Sequence, residues 1–390
     1  MKKEKYTISY TKHIISLICV AIISLAAGYI YFNSIFQREM ANLTMDGNLR
    51  RIQRFYREIE ENYFGEVQMD DIAQAALQGM SDALGDPYSS FLTDEENQRL
   101  QETMQGSFGG IGASIGLIHD RPTIAAPPEE DSPAGQAGIQ EGDVIISVDG
   151  NSVEGQTVQE IVGQIRGEIG TKVVIGLERA DEVKEVTVTR GSIPIRSVRY
   201  QLDEQNKQIG YIQIGLFNQT TTNEVKSAVE NLRKEGATSF ILDLRQNPGG
   251  LLEEAVNLSS MFLEDGKVIV QYEDRNGRTT QELAGHNLDN GFKVTEPVVV
   301  LVDARSASAA EIFAAALKES GDALVVGPDN TLGKGTVQSV RNLDRTSGVR
   351  MTVLKWLTPS GHWVNNGGLT PSIIETNDPY KKAVELLLGE

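Results

Sequence analysis

The feature that most constrains the fold of this chain is a set of short apolar strands in its second half, each followed by a helix or a turn. The strands lie at residues 209–217, 239–245, 297–303 and 323–327. Their apolar residues run nearly without interruption, which is typical of strands covered on both faces of a sheet. The alternation of strands and helices therefore predicts an α/β domain, in which sites form at the carboxyl ends of the strands.

The preceding block, at about 106–192, differs because its strands are short and separated by glycines. The segment 107-SFGGIGASIGLI-118 places a glycine loop before an alternating strand. The segment 157-TVQEIVGQIRG-167 then reads as a helix with one apolar face, formed by Val158, Ile161, Val162 and Ile165. A loop that offers backbone amides, a strand and such a helix are the parts of a groove that binds a peptide terminus by strand addition.

The region 37–103 has a helical pattern. Leu49, Ile52, Phe55 and Ile59 recur at spacings of three and four, which predicts a charged helix with one apolar stripe. Such a stripe usually packs on its own domain, and a partner subunit would cover it equally well. Because the stripe needs a cover, we expect a homodimer.

The uncharged run 14-IISLICVAIISLAAGYIYF-32 follows four lysines near the start of the chain, namely Lys2, Lys3, Lys5 and Lys12. The run is long enough to cross the hydrocarbon core, and the lysines before it place the N-terminus in the cytoplasm. We therefore expect a single-pass anchor in the cell membrane, with the catalytic part extracytoplasmic. The alternative is a cleaved signal peptide and a secreted form, but the run is longer than the usual apolar core of such a peptide.

Composition excludes some classes of function. The formal charge of -18 argues against a nucleic-acid partner, because phosphate binding needs clustered Lys and Arg. The four histidines are scattered, and Cys19, the single cysteine, lies inside the apolar run, so the sequence predicts no metal site and no disulfide. We expect no cofactor.

Two strand ends carry candidate catalytic residues. The strand 239–245 leads into a turn with Gly249 and Gly250, and the strand 297–303 leads into a helix start with Ser306 and Ser308. Serine is a common helix cap, so either serine has a structural explanation. A helix start and a glycine turn can also supply the two amides of an oxyanion hole beside a nucleophile.

A serine nucleophile needs a base, and two candidates remain open at this point. His362 lies in a loop-like stretch and is geometrically possible. Lys334, between two glycines in 331-TLGKGTVQSV-340, becomes a base if burial keeps its amine neutral. In an extended strand Gln338 would lie on the same side as Lys334, so we expect its carboxamide to bond the lysine amine.

These motifs resemble known families. The segment 132-SPAGQAGIQEGDVIISVDG-150 is similar to a PDZ domain, over roughly residues 100–192. The order of the PDZ block, "DLRQNPGG", "SASAAEIFAAALKE" and "GKGTVQ" resembles the carboxyl-terminal processing peptidases, serine proteases with a Ser-Lys dyad, and the similarity covers about 45–375. The resemblance implies a core with the strand and helix build of the ClpP and crotonase folds.

The resemblance also implies a role for each matching residue. It assigns Ser308 as nucleophile, Lys334 as general base and Gln338 as its orienting partner, with oxyanion amides from Gly249, Gly250 and Ala309. Ser306 would be a cap or form a local hydrogen bond. The PDZ groove would consist of Gly110, Ile111, Gly112, Ala113, Val158, Ile161, Val162 and Ile165. We further predict that Arg166, at the end of the groove helix, senses an occupied groove and contacts the protease core.

The predicted architecture is a mixed α/β multidomain protein with five segments, namely a cytoplasmic tail and anchor (1–36), a helical region (37–103), a PDZ domain (104–192), a protease core (193–377) and a C-terminal helix (378–390). The predicted function is an endopeptidase that recognises apolar C-terminal tails of protein substrates. A catalytically silent PDZ adaptor on the membrane is the alternative, but the nucleophile, base and glycines are all present. An acyl-CoA type α/β enzyme would need neither a PDZ block nor an anchor.

Overall fold

The computed structural model describes residues 47–180, 182–285 and 291–389. The predicted anchor at 14–32 lies outside the described residues. Within the described part of the chain, no helix is long and apolar enough to cross a membrane. Contacts divide the chain into two units, with the boundary after Gly79.

The first unit is helical where the structure describes it. Helix α1 spans Gly47–Asn62, and α2, Met69–Asp82, begins in this unit. The predicted apolar stripe lies on α1, where Leu49, Ile52 and Phe55 are exposed, with 69% of the Phe55 surface accessible, and Ile59 is half-buried. The predicted homodimer would cover this stripe, and it stays a prediction.

The second unit begins with a short strand and a well-capped helix. Strand β1 spans Ser90–Leu92, and helix α3 spans Asp94–Gln105. Thr93 and Glu96 form a reciprocal capping box at the start of α3, and Gly106 ends the helix in the left-handed conformation at φ 75°.

A small β-rich domain follows. Its strands are β2 (Ser107–Gly110), β3 (Ile115–Ile118), β4 (Arg121–Ile124), β5 (Val144–Val148), β6 (Asn151–Ser152), β7 (Lys172–Arg179), β8 (Glu182–Thr189) and β9 (Gly191–Pro194). β2 pairs with β9, and the remaining strands form an antiparallel sheet in the order β3-β4-β5-β7-β8 with β6 on β5. Its helices are α4 (Pro133–Gln136) and α5 (Val158–Ile165). These elements enclose a core of their own, so the block is a separate domain.

The predicted α/β core is present. Its main sheet has the order β10-β11-β12-β15-β16-β19, formed by β10 (Val198–Leu202), β11 (Ile209–Ile214), β12 (Ser239–Asp243), β15 (Val298–Leu301), β16 (Leu324–Gly327) and β19 (Ile373–Ile374). β10 is antiparallel to β11, and the other neighbours are parallel. Helices cover both faces, which explains why every residue of β12 is buried.

The helices of this core lie on opposite faces of the sheet. α6 (Thr221–Lys234), α7 (Leu252–Phe262) and α8 (Ala309–Ser320) share one apolar cluster with Leu242 and Val300. α9 (Pro379–Leu388) packs on the other face with Ile241 and Val299. The alternation of side chains along each strand therefore sends successive residues into two different cores.

A second, antiparallel sheet was not predicted from the sequence. Its order is β1-β18-β13-β14, with β17 also paired to β18, and its later strands are β13 (Val268–Glu273), β14 (Thr279–Leu283), β17 (Thr336–Asn342) and β18 (Gly348–Leu357). β1 lies more than two hundred positions before its partner β18. This sheet brings the residues just before β1 beside the loop that carries Lys334.

Candidate active site

The serine joint lies between β15 and α8. Ser308 is the N-cap of α8 and has φ 55° and ψ −116°, a backbone conformation that a residue with a side chain rarely adopts. Such strain persists only when the surroundings enforce it, and it is common at functional sites. A serine on a strained turn between a strand and a helix is also the arrangement that exposes a nucleophilic hydroxyl in other hydrolases.

Ser306 has a different role from the predicted cap. The cap position belongs to Ser308, because α8 begins at Ala309. The Ser306 hydroxyl is fully buried, donates to the Leu244 carbonyl at 2.8 Å and accepts the Asp303 amide at 2.9 Å. Ser306 therefore ties the loop after β15 to the end of β12, which is the local hydrogen bonding that the sequence also allowed.

The glycine turn after β12 packs against Ser308. Gly249 has φ 98°, and a Cβ placed on it would lie 2.8 Å from the Ser308 Cβ and 2.9 Å from the Ala309 amide nitrogen. Glycine is required here because any side chain would collide with the start of α8.

The amides of this turn differ in availability. The Gly249 N–H donates to the Asn247 side chain at 2.8 Å, so it is already occupied. The amides of Gly250 and Ala309 donate to no acceptor within the described ranges. Of the three predicted oxyanion-hole residues, Gly250 and Ala309 have amides that can bind an oxyanion. Gly249 instead lets the turn pack closely against the start of α8.

Lys334 lies in a tightly held loop before β17. The Trp356 indole donates to the Lys334 carbonyl at 2.8 Å, and the Trp363 indole donates to the Gly335 carbonyl at 2.9 Å. A Cβ on Gly335 would lie 2.6 Å from the Trp363 ring nitrogen, which explains the second glycine of Gly-Lys-Gly. The loop is therefore a packed element, although a lone Gly-Lys-Gly is more often an exposed turn.

The environment of the Lys334 amine favours its neutral form. Burial lowers the pKa of Lys334, and the nearby Arg350 lowers it further, while Glu311 and Asp86 act in the opposite direction. Among the described residues, the amine forms no hydrogen bond or ion pair. An amine with a lowered pKa gives up its proton more readily, and once neutral it can accept a proton from a nearby hydroxyl.

The predicted hydrogen bond from Gln338 to the Lys334 amine is not formed. The Gln338 carboxamide donates to the hydroxyls of Thr336 at 2.8 Å and Thr352 at 3.1 Å. The prediction extended strand alternation back to Lys334, but β17 begins only at Thr336, so Lys334 lies in the loop before the strand and its side chain does not follow that alternation. Gln338 nevertheless lines the same cavity as Lys334.

Glu311 was missed in the sequence analysis. Its carboxylate is fully buried and accepts the Ser308 amide (2.7 Å), the Lys334 amide (2.9 Å), the Gly333 amide (2.7 Å) and the Thr331 hydroxyl (2.5 Å). Burial raises the pKa of Glu311, and these four hydrogen bonds oppose the rise. The signal available in the sequence was the capping-box spacing from Ser308 to Glu311.

Ser308 and Lys334 line one cavity of about 600 Å³. Its wall also includes apolar side chains, namely Leu100, Met104, Leu216, Leu252, Ile312, Val337, Val340 and Trp356. Leu100 and Met104 come from α3, ahead of the β-rich domain in the chain. His362, the other candidate base, is exposed and does not line this cavity.

The predicted peptide groove coincides with a second cavity of about 640 Å³. Gly110, Ile111, Gly112 and Ala113 line it, together with Val162 and Ile165 of α5. The amides of Gly112 and Ala113 have no acceptor in the parts of the chain that are described, so they can receive a carboxylate.

Two of the predicted groove residues do not line this cavity. Ile161 has no accessible surface and packs in the core of the β-rich domain. Val158, at the first turn of α5, is half-buried but lies away from the glycine loop. The apolar face of α5 is wider than the groove, because part of it anchors the helix to its own domain.

Arg166 contacts α3. Its guanidinium lies 3.9 Å from the centroid of the Phe108 ring and 3.8 Å from the Glu102 carboxylate. It also lines the groove cavity. The predicted contact with the protease core is therefore replaced by a contact with the helix that carries Leu100 and Met104 into the catalytic cavity.

No group of residues within the described ranges has the composition and proximity of a metal site. The chemistry that the cavity can perform with its own residues is nucleophilic, since it combines a hydroxyl, an amine and two available amides.

Comparison with known proteins defines the class. Residues 208–374 match the profile of peptidase family S41, residues 124–179 match a PDZ domain, and residues 31–96 match the activating protease CtpB N-terminal domain. The protein is therefore a serine-type endopeptidase with a mixed α/β architecture that includes a PDZ domain.

Curated relatives support the same family across most of the chain. The carboxy-terminal processing protease CtpA of Bacillus subtilis (strain 168) is 39% identical over 369 residues, which are 94% of this chain and 78% of the relative. A probable CtpA-like serine protease of Staphylococcus epidermidis is 35% identical over 345 residues, 88% of this chain and 69% of the relative. The chain belongs to peptidase family S41, and the resemblance to carboxyl-terminal processing peptidases is confirmed.

Among solved structures, the photosystem II D1 C-terminal processing protease is similar, with 29% identity and a TM-score of 0.48 over 85% of this chain and 90% of that chain.

Proposed function

We propose that this protein is a membrane-anchored, extracytoplasmic endopeptidase that captures protein substrates by an apolar C-terminal tail and cleaves them through an acyl-enzyme on Ser308. The observation that carries the proposal is the strained N-cap conformation of Ser308 in the cavity that Lys334 also lines. A strained serine, a buried lysine amine without a hydrogen bond or ion pair among the described residues, and two available amides together suit nucleophilic catalysis.

The proposed reaction begins with Lys334 as general base. Its neutral amine takes the proton of the Ser308 hydroxyl as the oxygen attacks the scissile carbonyl carbon. The carbonyl oxygen becomes an oxyanion and accepts hydrogen bonds from the amides of Gly250 and Ala309. Donors already placed for the developing charge need no rearrangement in the transition state.

The second half of the proposed reaction returns the proton. The Lys334 ammonium protonates the leaving amine, the peptide bond breaks, and the acyl group stays on Ser308 as an ester. Lys334, neutral again, removes a proton from a water molecule that attacks the ester carbon. The bond from that carbon to the Ser308 oxygen then breaks, the Lys334 ammonium returns the proton to this oxygen, and the acid product leaves. Gln338 in this proposal holds Thr336, which lines the cavity beside Lys334, and its second hydrogen bond, to Thr352, fixes its own position.

The PDZ domain is the proposed site of substrate recognition. The available amides of Gly112 and Ala113 suit a terminal carboxylate, and Ile111, Val162 and Ile165 provide apolar walls for the side chain next to it. The B. subtilis relative is named a carboxy-terminal processing protease. Both points support substrates with apolar C-termini.

The anchor and the homodimer belong to the same proposal. The uncharged run 14–32 and the lysines before it support insertion with the catalytic part outside the cytoplasm. The exposed apolar stripe of α1 supports a homodimer. Alkaline extraction of membranes, compared between the full chain and a variant lacking 14–32, tests the anchor, and a full chain released by the extraction contradicts it.

Arg166 is the proposed link between tail binding and cleavage. Its guanidinium lines the groove and approaches Glu102, and α3 carries Leu100 and Met104 into the catalytic cavity. We expect Arg166→Ala to lose most of the stimulation of cleavage by an apolar tail, while Arg196→Ala, which removes another groove arginine, retains it. Equal stimulation in wild type and Arg166→Ala would remove this role.

Cleavage of an unfolded protein with an apolar C-terminus tests the central proposal. Ser308→Ala and Lys334→Ala are expected to lose activity, and the exposed controls Ser227→Ala and Lys234→Ala to keep it. Trapping of an ester between substrate and wild-type protein, absent in Ser308→Ala, identifies the nucleophile. Activity in Ser308→Ala equal to wild type would refute the proposed dyad, and inactivity of the wild type in every assay would favour the adaptor.

A further inference from the structure

The amine of Lys334 has a specific neighbour that the proposed reaction does not use. Tyr88 places the face of its ring 4.9 Å from the Lys334 Nζ, measured to the ring centroid. Within the described residues this ring contact is the one specific interaction of the amine. The Tyr88 hydroxyl forms no hydrogen bond in the same part of the structure, so the ring itself is the functional part of the side chain.

The ring is presented by a rigid turn in the sequence 86-DPYS-89. One Asp86 carboxylate oxygen accepts the Tyr88 amide at 3.0 Å, and the other accepts the Ser89 hydroxyl at 2.6 Å. The Ser89 amide closes the turn on the Asp86 carbonyl at 3.2 Å. Proline at the second position fixes the backbone in advance.

The turn is also fixed to the strand that faces the cavity. The Thr352 amide of β18 donates to the Ser89 hydroxyl at 2.9 Å, and the Arg350 side chain donates to the Tyr88 carbonyl at 3.1 Å. Next to the turn, β1 pairs with the same strand, with Ser90 opposite Arg350. The backbone that carries the Tyr88 ring is therefore anchored to β18 and to the Asp86 carboxylate.

Lysine has four rotatable bonds, so its amine needs a contact that selects one position in the cavity. Hydrogen bonding to a carboxylate would fix the amine but would also hold its proton. An aromatic face attracts a cation within about 6 Å and leaves the nitrogen lone pair free when the amine is neutral. The ring thus orients the base without occupying it.

Four groups act on the charge of this amine. Arg350 on β18 disfavours the ammonium ion, whereas Asp86 in the turn and Glu311 on α8 favour it. The Tyr88 ring adds a fourth contribution, which favours the ammonium ion. The turn supplies two of the groups directly and orients Arg350 through the Tyr88 carbonyl.

We propose that Tyr88 is a positioning residue for Lys334: its ring face holds the amine in the catalytic cavity and stabilises the ammonium ion that forms when Lys334 takes the proton of Ser308. This inference rests on the proposed role of Lys334 as general base. It makes the 86–89 turn a part of the catalytic apparatus, although the turn lies before the PDZ domain in the chain.

The test compares Tyr88→Leu, which removes the ring, with Tyr88→Phe, which keeps it, in the full chain. Steady-state cleavage of a peptide substrate is measured across pH. We expect Tyr88→Leu to lower kcat about tenfold with KM unchanged. We also expect the acid limb of its kcat/KM profile to move to lower pH by about half a unit or more, because loss of the ring disfavours the ammonium ion. Tyr88→Phe, which keeps the ring, should have the kcat and the acid limb of the wild type.

A control excludes a general effect of losing a tyrosine. Tyr200→Leu removes an exposed ring on β10, whose hydroxyl accepts a bond from Asn231, and should leave the profile unchanged. If Tyr88→Leu unfolds at the assay temperature, Tyr88→Met provides the same comparison, since it also fills the space without a ring.

The outcomes separate this inference from the proposed function. Full activity in Lys334→Ala would overturn both. A second outcome would overturn the role of Tyr88 alone. In that outcome Lys334→Ala is inactive, while Tyr88→Leu is folded and has the same kcat and the same acid limb as Tyr88→Phe.

Discussion

Glu311→Gln is the substitution for which the structure gives the clearest expectation. One carboxylate oxygen accepts the amides of Ser308 and Lys334, and the other accepts the Gly333 amide and the Thr331 hydroxyl. A glutamine has a single acceptor oxygen, so its NH₂ group must face one of these pairs of donors.

The loss of stability in Glu311→Gln depends on which pair of donors the glutamine NH₂ group faces. If the pair is Ser308 and Lys334, two backbone amides lose their acceptor. If the pair is Thr331 and Gly333, the hydroxyl can rotate to accept, and the Gly333 amide alone is left without a partner. One buried donor without an acceptor costs about 1–3 kcal/mol, and the remaining bonds lose their charge-assisted strength. We therefore expect a loss of about 2–4 kcal/mol in the free energy of unfolding.

Activity should fall with stability, because Glu311 connects the backbone of the proposed nucleophile, Ser308, to the backbone of the proposed base, Lys334. A displacement of either residue by about 1 Å is enough to lower kcat about 100-fold. The assays are kcat on a peptide substrate and unfolding followed by tryptophan emission. Trp356 and Trp363 are the only tryptophans of the chain, and both bond the Lys334–Gly335 segment, so the emission reports on this site.

Glu254→Gln is the matched control. Glu254 is also buried, but a single carboxylate oxygen accepts both the amide and the hydroxyl of Thr222. Glutamine can keep both bonds with its one oxygen, so the change should cost less than about 1 kcal/mol. A Glu311→Gln protein as stable as Glu254→Gln, with wild-type kcat, would refute the reasoning.

Two further predictions concern the same cavity. Gly249→Ala should lower both stability and activity, because its Cβ would collide with Ser308, whereas Gly236→Ala, at φ 105° in open space, should cost only backbone strain of about 1–3 kcal/mol and leave kcat unchanged. Equal kcat in the two variants would contradict the collision. Lys334→Met should abolish cleavage and raise the unfolding temperature at neutral pH. Burial and Arg350 lower the pKa of Lys334, so the folded protein binds this proton less tightly than the unfolded chain, and wild-type stability rises with pH between the two pKa values. The difference in unfolding temperature between Lys334→Met and the wild type should therefore shrink as the pH rises toward about 10. Thermal unfolding at several pH values measures this difference, and a difference that does not change with pH would contradict the lowered pKa.

Much of the fold was predictable because it depends on local patterns. The continuous apolar strands predicted a sheet covered on both faces, and glycines with one amphipathic helix predicted a peptide groove. The prediction assigned too many residues of the α5 apolar face to the groove, since Ile161 belongs to the core. A hydrophobic pattern reports which residues avoid water, but it does not distinguish a core from a groove.

The candidate catalytic residues were predictable as chemical types, but their partners were not. Ser308 and Lys334 were identified from motifs, whereas the bond from Gln338 to Lys334 was expected from strand alternation. Lys334 lies in the loop before β17, so the alternation that places Thr336 and Gln338 on one side does not extend to it. The residue at which a strand begins is the part of a sequence-based prediction that local spacing defines least well.

By itself, the sequence indicated the order of the domains, the proposed nucleophile and base, and the need for glycine beside them, because these features follow from residue types and short spacings. The tertiary structure alone decided what surrounds the Lys334 amine. The Tyr88 ring, Arg350 and Glu311 come from a turn, a strand and a helix that are distant in the chain. The electrostatic environment of a buried amine depends on distances in space, and these arise only when the antiparallel sheet brings the three elements together.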